Sequence, residues 1–250
     1  MSKYSSKETK LSQRLKAHDQ QVVLTEEALP HRDGLCWLIV GSKGTGKTSL
    51  LKSALDTKDC DGGYRQYFSK IYIISPSMQN DKKMKRLVDE VEEEGQFFDK
   101  LDNENLREIV DMIDEYNEEH EGRHQLLILD DCIAMLPSAS SKNALFNSLI
   151  TNCRHKKLCI WITLQKLKKA NTIIRTNTDM VSMFAATPGE KKDFLEEFGV
   201  PEDAFDYCTD KPYSFIHMTR TSGKPKLFCK FDPLEMHEVK ESESWLKSLP

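Results

Sequence analysis

One eight-residue segment constrains this chain more than any other. Gly41-Ser42-Lys43-Gly44-Thr45-Gly46-Lys47-Thr48 directly follows the apolar run Leu35 to Val40 and directly precedes a stretch, Ser49 to Leu55, that reads as helix. It satisfies every fixed position of G-x-x-x-x-G-K-[ST], the phosphate-binding P-loop, and in the strand–loop–helix setting that this loop requires. The glycines let backbone N–H groups turn inward around an anion, and the helix that follows points its positive end at the same place. In such a loop the lysine reaches the β- and γ-phosphates and the hydroxyl of the last position ligates Mg²⁺. Gly41, Ser42, Lys43, Gly44, Thr45, Gly46, Lys47, Thr48 and Ser49 are therefore the expected nucleotide-binding residues, with ATP and Mg²⁺ as ligands and Lys47 and Thr48 as the groups that act on them. A plain glycine turn with a solvated lysine is the competing reading, and it leaves the flanking strand and helix unexplained.

The remaining pattern places this loop in a doubly wound α/β fold. LCWLIV (35–40), KIYIIS (70–75), QLLIL (125–129), LCIWITL (158–164) and VSMFAA (181–186) are short, wholly or nearly apolar runs, as expected of strands buried on both faces of a parallel sheet. Between them, Met84, Leu87, Val88 and Val91, then Leu106, Ile109, Val110 and Ile113, then Leu145 and Leu149, recur at helical spacing. Strands alternating with helices imply helices on both faces of a mostly parallel sheet. YSFIHMT (213–219) and KPKLFCKF (224–231) flank Thr221-Ser222-Gly223, a hairpin signal that adds antiparallel strands at one edge. The reading divides the chain into a mobile arm (1–33), a P-loop domain (34–234) with an acidic two-helix insert (81–122), and a tail (235–250).

A P-loop needs a second contact to its metal, supplied by an Asp at the end of a neighbouring buried strand. Leu126-Leu127-Ile128-Leu129-Asp130 provides it, so Asp130 is the expected Walker B aspartate and, with Thr48, the metal pair. Asp131 follows where hydrolytic ATPases of the additional-strand class usually carry a Glu that orients or deprotonates water. Here the acid is one methylene shorter, and a cap on the next turn is the alternative use of Asp131. Consecutive acids at a strand end are costly to bury without a cation. In additional-strand P-loop folds the strand order is 5-1-4-3-2, which puts the strand ending in Gln165 between the P-loop strand and the Asp130 strand and aims Gln165 at the γ-phosphate. Arg154 precedes that strand, too far back to reach its own nucleotide but able to reach a neighbour's. An arginine supplied in trans implies a ring of subunits. Asp131, Gln165, Arg154 and Lys47 are the expected catalytic set.

Charge is unevenly spread. The net charge is −4, yet residues 89 to 121 hold fifteen acids against Lys100 and Arg107, while residues 151 to 178 hold seven Lys or Arg and no acid. The second stretch is either a polyanion-facing strip or a solvated surface. The longest unbroken apolar run is far short of the ~20 residues of a spanning helix. The opening MSKYSSKETK lacks the apolar core of a secretory signal, and seven irregularly spaced cysteines fit a reducing compartment better than a disulfide framework. An intracellular protein without membrane contact is expected. Cys153, His155 and Cys159 lack a fourth ligand at zinc-site spacing.

With these residues in hand the chain resembles the FtsK–HerA superfamily of DNA-pumping ATPases, and within it the viral genome-packaging ATPases of the poxvirus, giant-virus and virophage kind. The resemblance rests on GSKGTGKT (41–48), LLILDD (126–131), Arg154-His155 before a strand ending in Gln165, and Ile174-Arg175-Thr176-Asn177-Thr178-Asp179. It spans roughly residues 35 to 231. It implies an ATPase working as a homo-oligomeric ring, pentamer or hexamer, with double-stranded DNA in its channel and capsid or portal vertex proteins as partners, in the virion or in a viral factory of the host cytoplasm. It further implies that Arg154 is the trans finger and Arg175 a secondary arginine near the subunit boundary. The usual Glu is Asp131 here, which departs from the wider superfamily. Lys166, Lys168 and Lys169 follow Gln165 and would face DNA phosphates or the next subunit. Two other classes stay open at this level: a P-loop kinase, which needs neither Gln165 nor a trans arginine, and a slowly hydrolysing nucleotide switch or scaffold.

Overall fold

The computed structural model describes residues 4–6, 28–56, 63–64, 66–135, 144–220 and 225–236. In chain order its strands are β1 (Tyr4–Ser6), β2 (Cys36–Val40), β3 (Lys70–Ile74), β4 (Phe97–Phe98), β5 (Gln125–Asp130), β6 (Leu158–Leu164), β7 (Met180–Phe184), β8 (Phe215–Thr219), β9 (Lys226–Cys229) and β10 (Asp232–Met236). The helices are α1 (Lys47–Asp56), α2 (Lys85–Glu93), α3 (Asn103–Glu119), α4 (Ala144–Asn152), α5 (Thr172–Thr176), α6 (Pro188–Phe198) and α7 (Glu202–Thr209). The strands form one sheet in the order β1-β10-β9-β8-β7-β2-β6-β5-β3-β4. Strands β7, β2, β6, β5, β3 and β4 run parallel. Strands β8, β9, β10 and β1 extend the β7 side antiparallel. The five central parallel strands thus stand in the expected 5-1-4-3-2 order, and the antiparallel edge follows the expected hairpin, whose turn residues 221–224 lie outside the described residues.

Apolar runs become this sheet because successive residues of a strand point to opposite faces and both faces are covered. Trp37, Ile39, Leu126, Ile128 and Trp161 face one layer with Leu50 and Leu51 of α1 and Val88 and Val91 of α2. Their neighbours Leu38, Val40, Leu127, Leu129, Ile160 and Ile162 face the other, with Ile109 of α3, Phe146 of α4, Phe194 of α6 and Phe205 of α7. Trp37 and Trp161 meet edge to face across β2 and β6, ring centroids 5.0 Å apart.

The division read from the sequence meets the structure at three places. The acidic insert does contain two helices, but α2 and α3 lie on opposite faces of the sheet, joined through β4, which pairs Phe97 with Ile73 and Phe98 with Ile74. Asp102 caps α3, its carboxylate accepting from the backbone N–H of Glu104 (3.1 Å) and Asn105 (3.0 Å). The stretch given to an arm is not free throughout: β1 pairs with β10, and Ala28 and Leu29 are fully buried. Of the stretch read as a tail, Glu235 and Met236 belong to β10, and residues 237–250 lie outside the described residues. A polar chain ties the end of the arm, at Ala28, to the sheet. His217 on β8 donates from Nε2 to the Ala28 carbonyl (2.7 Å), its Nδ1 accepts from the Ser182 hydroxyl (2.8 Å), and Ser182 Oγ accepts from Trp37 Nε1 (3.0 Å). Each group in this buried line is satisfied only if His217 is neutral.

Burial pulls the His217 pKa down to about 4, against the raising effect of the Ala28 carbonyl. A folded-state value below the unfolded ~6.5 means that the unfolded chain binds the proton first. Stability from this residue is therefore full above pH 6.5 and is lost as pH falls towards 4, by about 3 kcal/mol. Urea unfolding of the intact protein and of His217→Gln across pH 4 to 7 checks this. The variant is expected to start less stable and to show the shallower decline over that window.

Candidate active site

Strand β2 delivers the chain to Gly41, whose N–H donates to the carbonyl of Leu164 at the end of β6 (3.0 Å). This loop demands its glycines. A β-carbon on Gly41 would stand 2.5 Å from Thr45 Oγ1 and 3.0 Å from Phe184 Cβ, and Gly46 has φ +111°. The Thr45 hydroxyl donates to the Ser42 carbonyl (2.9 Å), closing the turn. Lys47 folds over its own loop, Nζ donating to the carbonyls of Gly41 (2.6 Å) and Ser42 (3.2 Å). Its pKa is lowered by burial, while the carboxylates of Asp131 and Asp130 pull the other way.

Asp130 ends β5 almost fully buried. Both of its oxygens are answered by hydroxyls from the two flanking strands: Thr163 on β6 donates to Oδ1 (2.6 Å), and Ser75, just past β3, donates to Oδ2 (2.9 Å). Ser75 Oγ in turn accepts from the N–H of Met78 (3.0 Å), which pins the loop after β3. Asp131 follows in a left-handed conformation, φ +51°, its N–H donating to Thr163 Oγ1 (3.1 Å) and to the Thr163 carbonyl (3.2 Å). That turn swings its carboxylate towards Gln165, whose Nε2 donates to Asp131 Oδ2.

These groups surround a cavity of about 750 Å³ lined by Lys43, Gly44, Gly46, Lys47, Thr48 and Ser49 on the P-loop side and by Asp130, Asp131 and Gln165 opposite. Gly41, Ser42 and Thr45 form the back of the same loop. The cavity also takes Ser77, Asp81, Lys83, Phe184, Tyr213 and Phe215, which the sequence reading did not single out. Lys83 Nζ donates to Ser49 Oγ (2.8 Å) across its mouth. Ser75 and Thr163 were missed as well. Their one signal is a hydroxyl near the carboxyl end of an otherwise apolar strand, and only the pairing of Thr163 with Asp130 in the β5–β6 register gives it meaning.

Arg154 is not brought together with the others. It stands at the opposite edge of the sheet, before β6, whose seven residues put it about 23 Å from Gln165 at ~3.3 Å per residue. There Nη2 donates to Asp179 Oδ1 (2.7 Å), and two thirds of the side chain is exposed. Arg175 is committed within the fold: Nε donates to Glu197 Oε2 on α6 (2.8 Å) and Nη1 to the Ala170 carbonyl. Of the basic loop after Gln165, Lys168 pairs with Asp193 (3.0 Å), while Lys166 and Lys169 are exposed on the Gln165 side of the sheet.

Residues 31–168 match the AAA domain family. The chain belongs to that family. It is a P-loop ATPase. The fold of this AAA-domain protein is also that of B204, the DNA-packaging ATPase of Sulfolobus turreted icosahedral virus, with a TM-score of 0.59 at 16% identity over 78% of this chain and 97% of that one. Two structures of the genome-packaging NTPase B204 of Sulfolobus turreted icosahedral virus 2 agree. The complex with AMPPCP has a TM-score of 0.58 at 16% identity, covering 79% and 97% of the two chains. The complex with sulfate has 0.58 at 18% identity, covering 83% and 100%. No protein of curated function matches by sequence.

Thr163→Val keeps the shape of that side chain and removes the hydroxyl that holds both Asp130 and the Asp131 N–H. A hydrogen bond to a charged group contributes about 1.5–3 kcal/mol, so ATP hydrolysis is expected to fall about 10- to 100-fold. Steady-state hydrolysis together with thermal unfolding checks this, since the midpoint is expected to move by only a few degrees while the rate collapses.

Proposed function

We propose that this ATPase is a ring-forming motor that translocates double-stranded DNA, packaging a viral genome into a preformed capsid at a portal or vertex, in the virion or in a viral factory of the host cytoplasm. The observation that carries the reading is the division of the expected site between two edges of one sheet. Five groups line one cavity, and among the described residues none of the side chains lining it is an arginine. The sixth, Arg154, is exposed on the far edge. A subunit that holds nucleotide at one edge and offers a guanidinium at the other is complete only when a copy sits beside it, and repetition of that contact closes a ring. The shared fold with a DNA-packaging ATPase supports the same reading, as does the exposed Lys166–Lys169 loop at the nucleotide edge.

Lys47 and the P-loop N–H groups hold the phosphates. Thr48 and Asp130 suit Mg²⁺, which takes hard oxygen donors, one or two from protein and the rest from phosphate and water. Bound there, the ion would neutralise charge on the phosphates. Thr163 and Ser75 keep the Asp130 carboxylate turned to that position. Asp131 orients the attacking water and accepts its proton, and Gln165 holds Asp131 until a γ-phosphate competes for its amide. Arg154 of the neighbouring subunit stabilises charge on the transferred phosphoryl group.

Hydrolysis by the purified protein, with Lys47→Ala as the blank, is expected to rise on adding long duplex DNA and to lose that stimulation as salt increases. A rate indifferent to DNA in an assembled ring overturns the motor reading. Arg154→Ala is expected to lower hydrolysis about a thousandfold or more while sparing ATP binding. Mixed rings of Arg154→Ala and Lys47→Ala subunits are expected to recover part of the activity, and no recovery at confirmed mixed stoichiometry rules out the trans role.

A further inference from the structure

The cavity has two unlike ends. Towards β6, β5 and β3 it is lined by Asp130, Asp131, Gln165 and Lys83, and towards β7 and β8 it is closed by Phe184, Phe215 and Tyr213. The P-loop strand β2 lies between these two sides. Phe184 and Phe215 are buried, with ring centroids 5.0 Å apart, and belong to the core. Tyr213 does not, since 70% of it is exposed.

The exposure of Tyr213 is not that of a loose loop. The turn before β8 is fixed by the Ser214 N–H donating to the Lys211 carbonyl (3.1 Å), and Tyr213 holds φ +60° within it. In that left-handed region a bulky L-residue is an outlier, and glycine or asparagine would sit there with less strain. The ring nevertheless lies over the P-loop: a β-carbon on Gly46 would come within 3.7 Å of Tyr213 Cδ1. An aromatic side chain that buries little of itself in the fold, on a backbone that disfavours it, at the mouth of a nucleotide cavity, points to a use outside folding.

The polarity of the cavity names that use. A triphosphate seated in the P-loop with its terminal phosphate towards Asp130 and Gln165 directs its nucleoside the other way, to the β7–β8 end. We propose that Tyr213 stacks on the base of the bound ATP and so sets the position of the nucleoside. Base–aromatic stacking is tolerant of base identity, so the contact adds affinity for nucleotides over bare polyphosphate more than it selects adenine. The inference rests on the ATP site described above.

Calorimetric binding of ATP and of inorganic tripolyphosphate to the intact protein, Tyr213→Ala, Tyr213→Phe and Tyr213→Gly tests it. Tyr213→Ala is expected to weaken ATP about tenfold or more and to leave tripolyphosphate unchanged, with Tyr213→Phe restoring ATP affinity. Tyr213→Gly is expected to lose the same affinity while unfolding at an equal or higher temperature, because the strain is relieved. Unchanged ATP affinity in Tyr213→Ala, or an equal loss for both ligands, overturns stacking while leaving the site intact. Failure of the unaltered protein to bind either ligand overturns the site reading, and the stacking with it.

Discussion

A carboxylate at the inner end of a buried strand is tolerated only where its charge is answered, and the answer given to Asp130 organises this molecule. Two hydroxyls reach it from the strands on either side, and the half-buried Lys47 adds the opposite charge from the P-loop. This requires β3, β5 and β6 to be adjacent and in one register. A slip of β6 by a single residue would turn the Thr163 hydroxyl to the opposite face and leave the acid unanswered. The hydrophobic layers decide that a sheet forms, and the polar end of the sheet decides which register of it serves.

The same logic explains the posture of Asp131. A non-glycine residue at φ +51° is uncommon, yet here its N–H finds both the hydroxyl and the carbonyl of Thr163. The turn breaks the strand immediately after Asp130, so the second acid leaves the pleat and enters the cavity beside Gln165. The backbone turn, and not the length of the side chain, brings the Asp131 carboxylate to Gln165.

The parts of the fold legible in the sequence are those whose signal is local. GSKGTGKT encodes a loop by backbone geometry alone, and the wholly or nearly apolar runs ending in Asp130 and Gln165 encode strands whose tips must be polar. What escaped reading depends on neighbours distant in the chain. Ser75 and Thr163 are ordinary strand hydroxyls until the β3–β5–β6 register sets them beside Asp130. Strand β4 has two residues, too few for any period, and exists because Ile73 and Ile74 present an open ladder to it. Ala28 and Leu29 follow a long polar stretch, and their burial depends on His217, far along the chain. The helices α6 and α7 left local marks, a Pro at the first turn of α6 and Gly199 at φ +66° after its last, which the reading passed over.

Strand β4 also bears on how copies of this chain can meet. A sheet edge with a long unpaired ladder invites another strand to extend it. At this edge the sheet tapers to Phe97 and Phe98, flanked by α2 on one face and α3 on the other, in the most acidic part of the sequence. Two residues offer too short a ladder for strand addition, and like charges on both flanking helices repel a second copy. Self-association is thereby steered away from backbone pairing on this side of the molecule, to surfaces recognised through side chains, where a contact can form and release without unravelling a sheet.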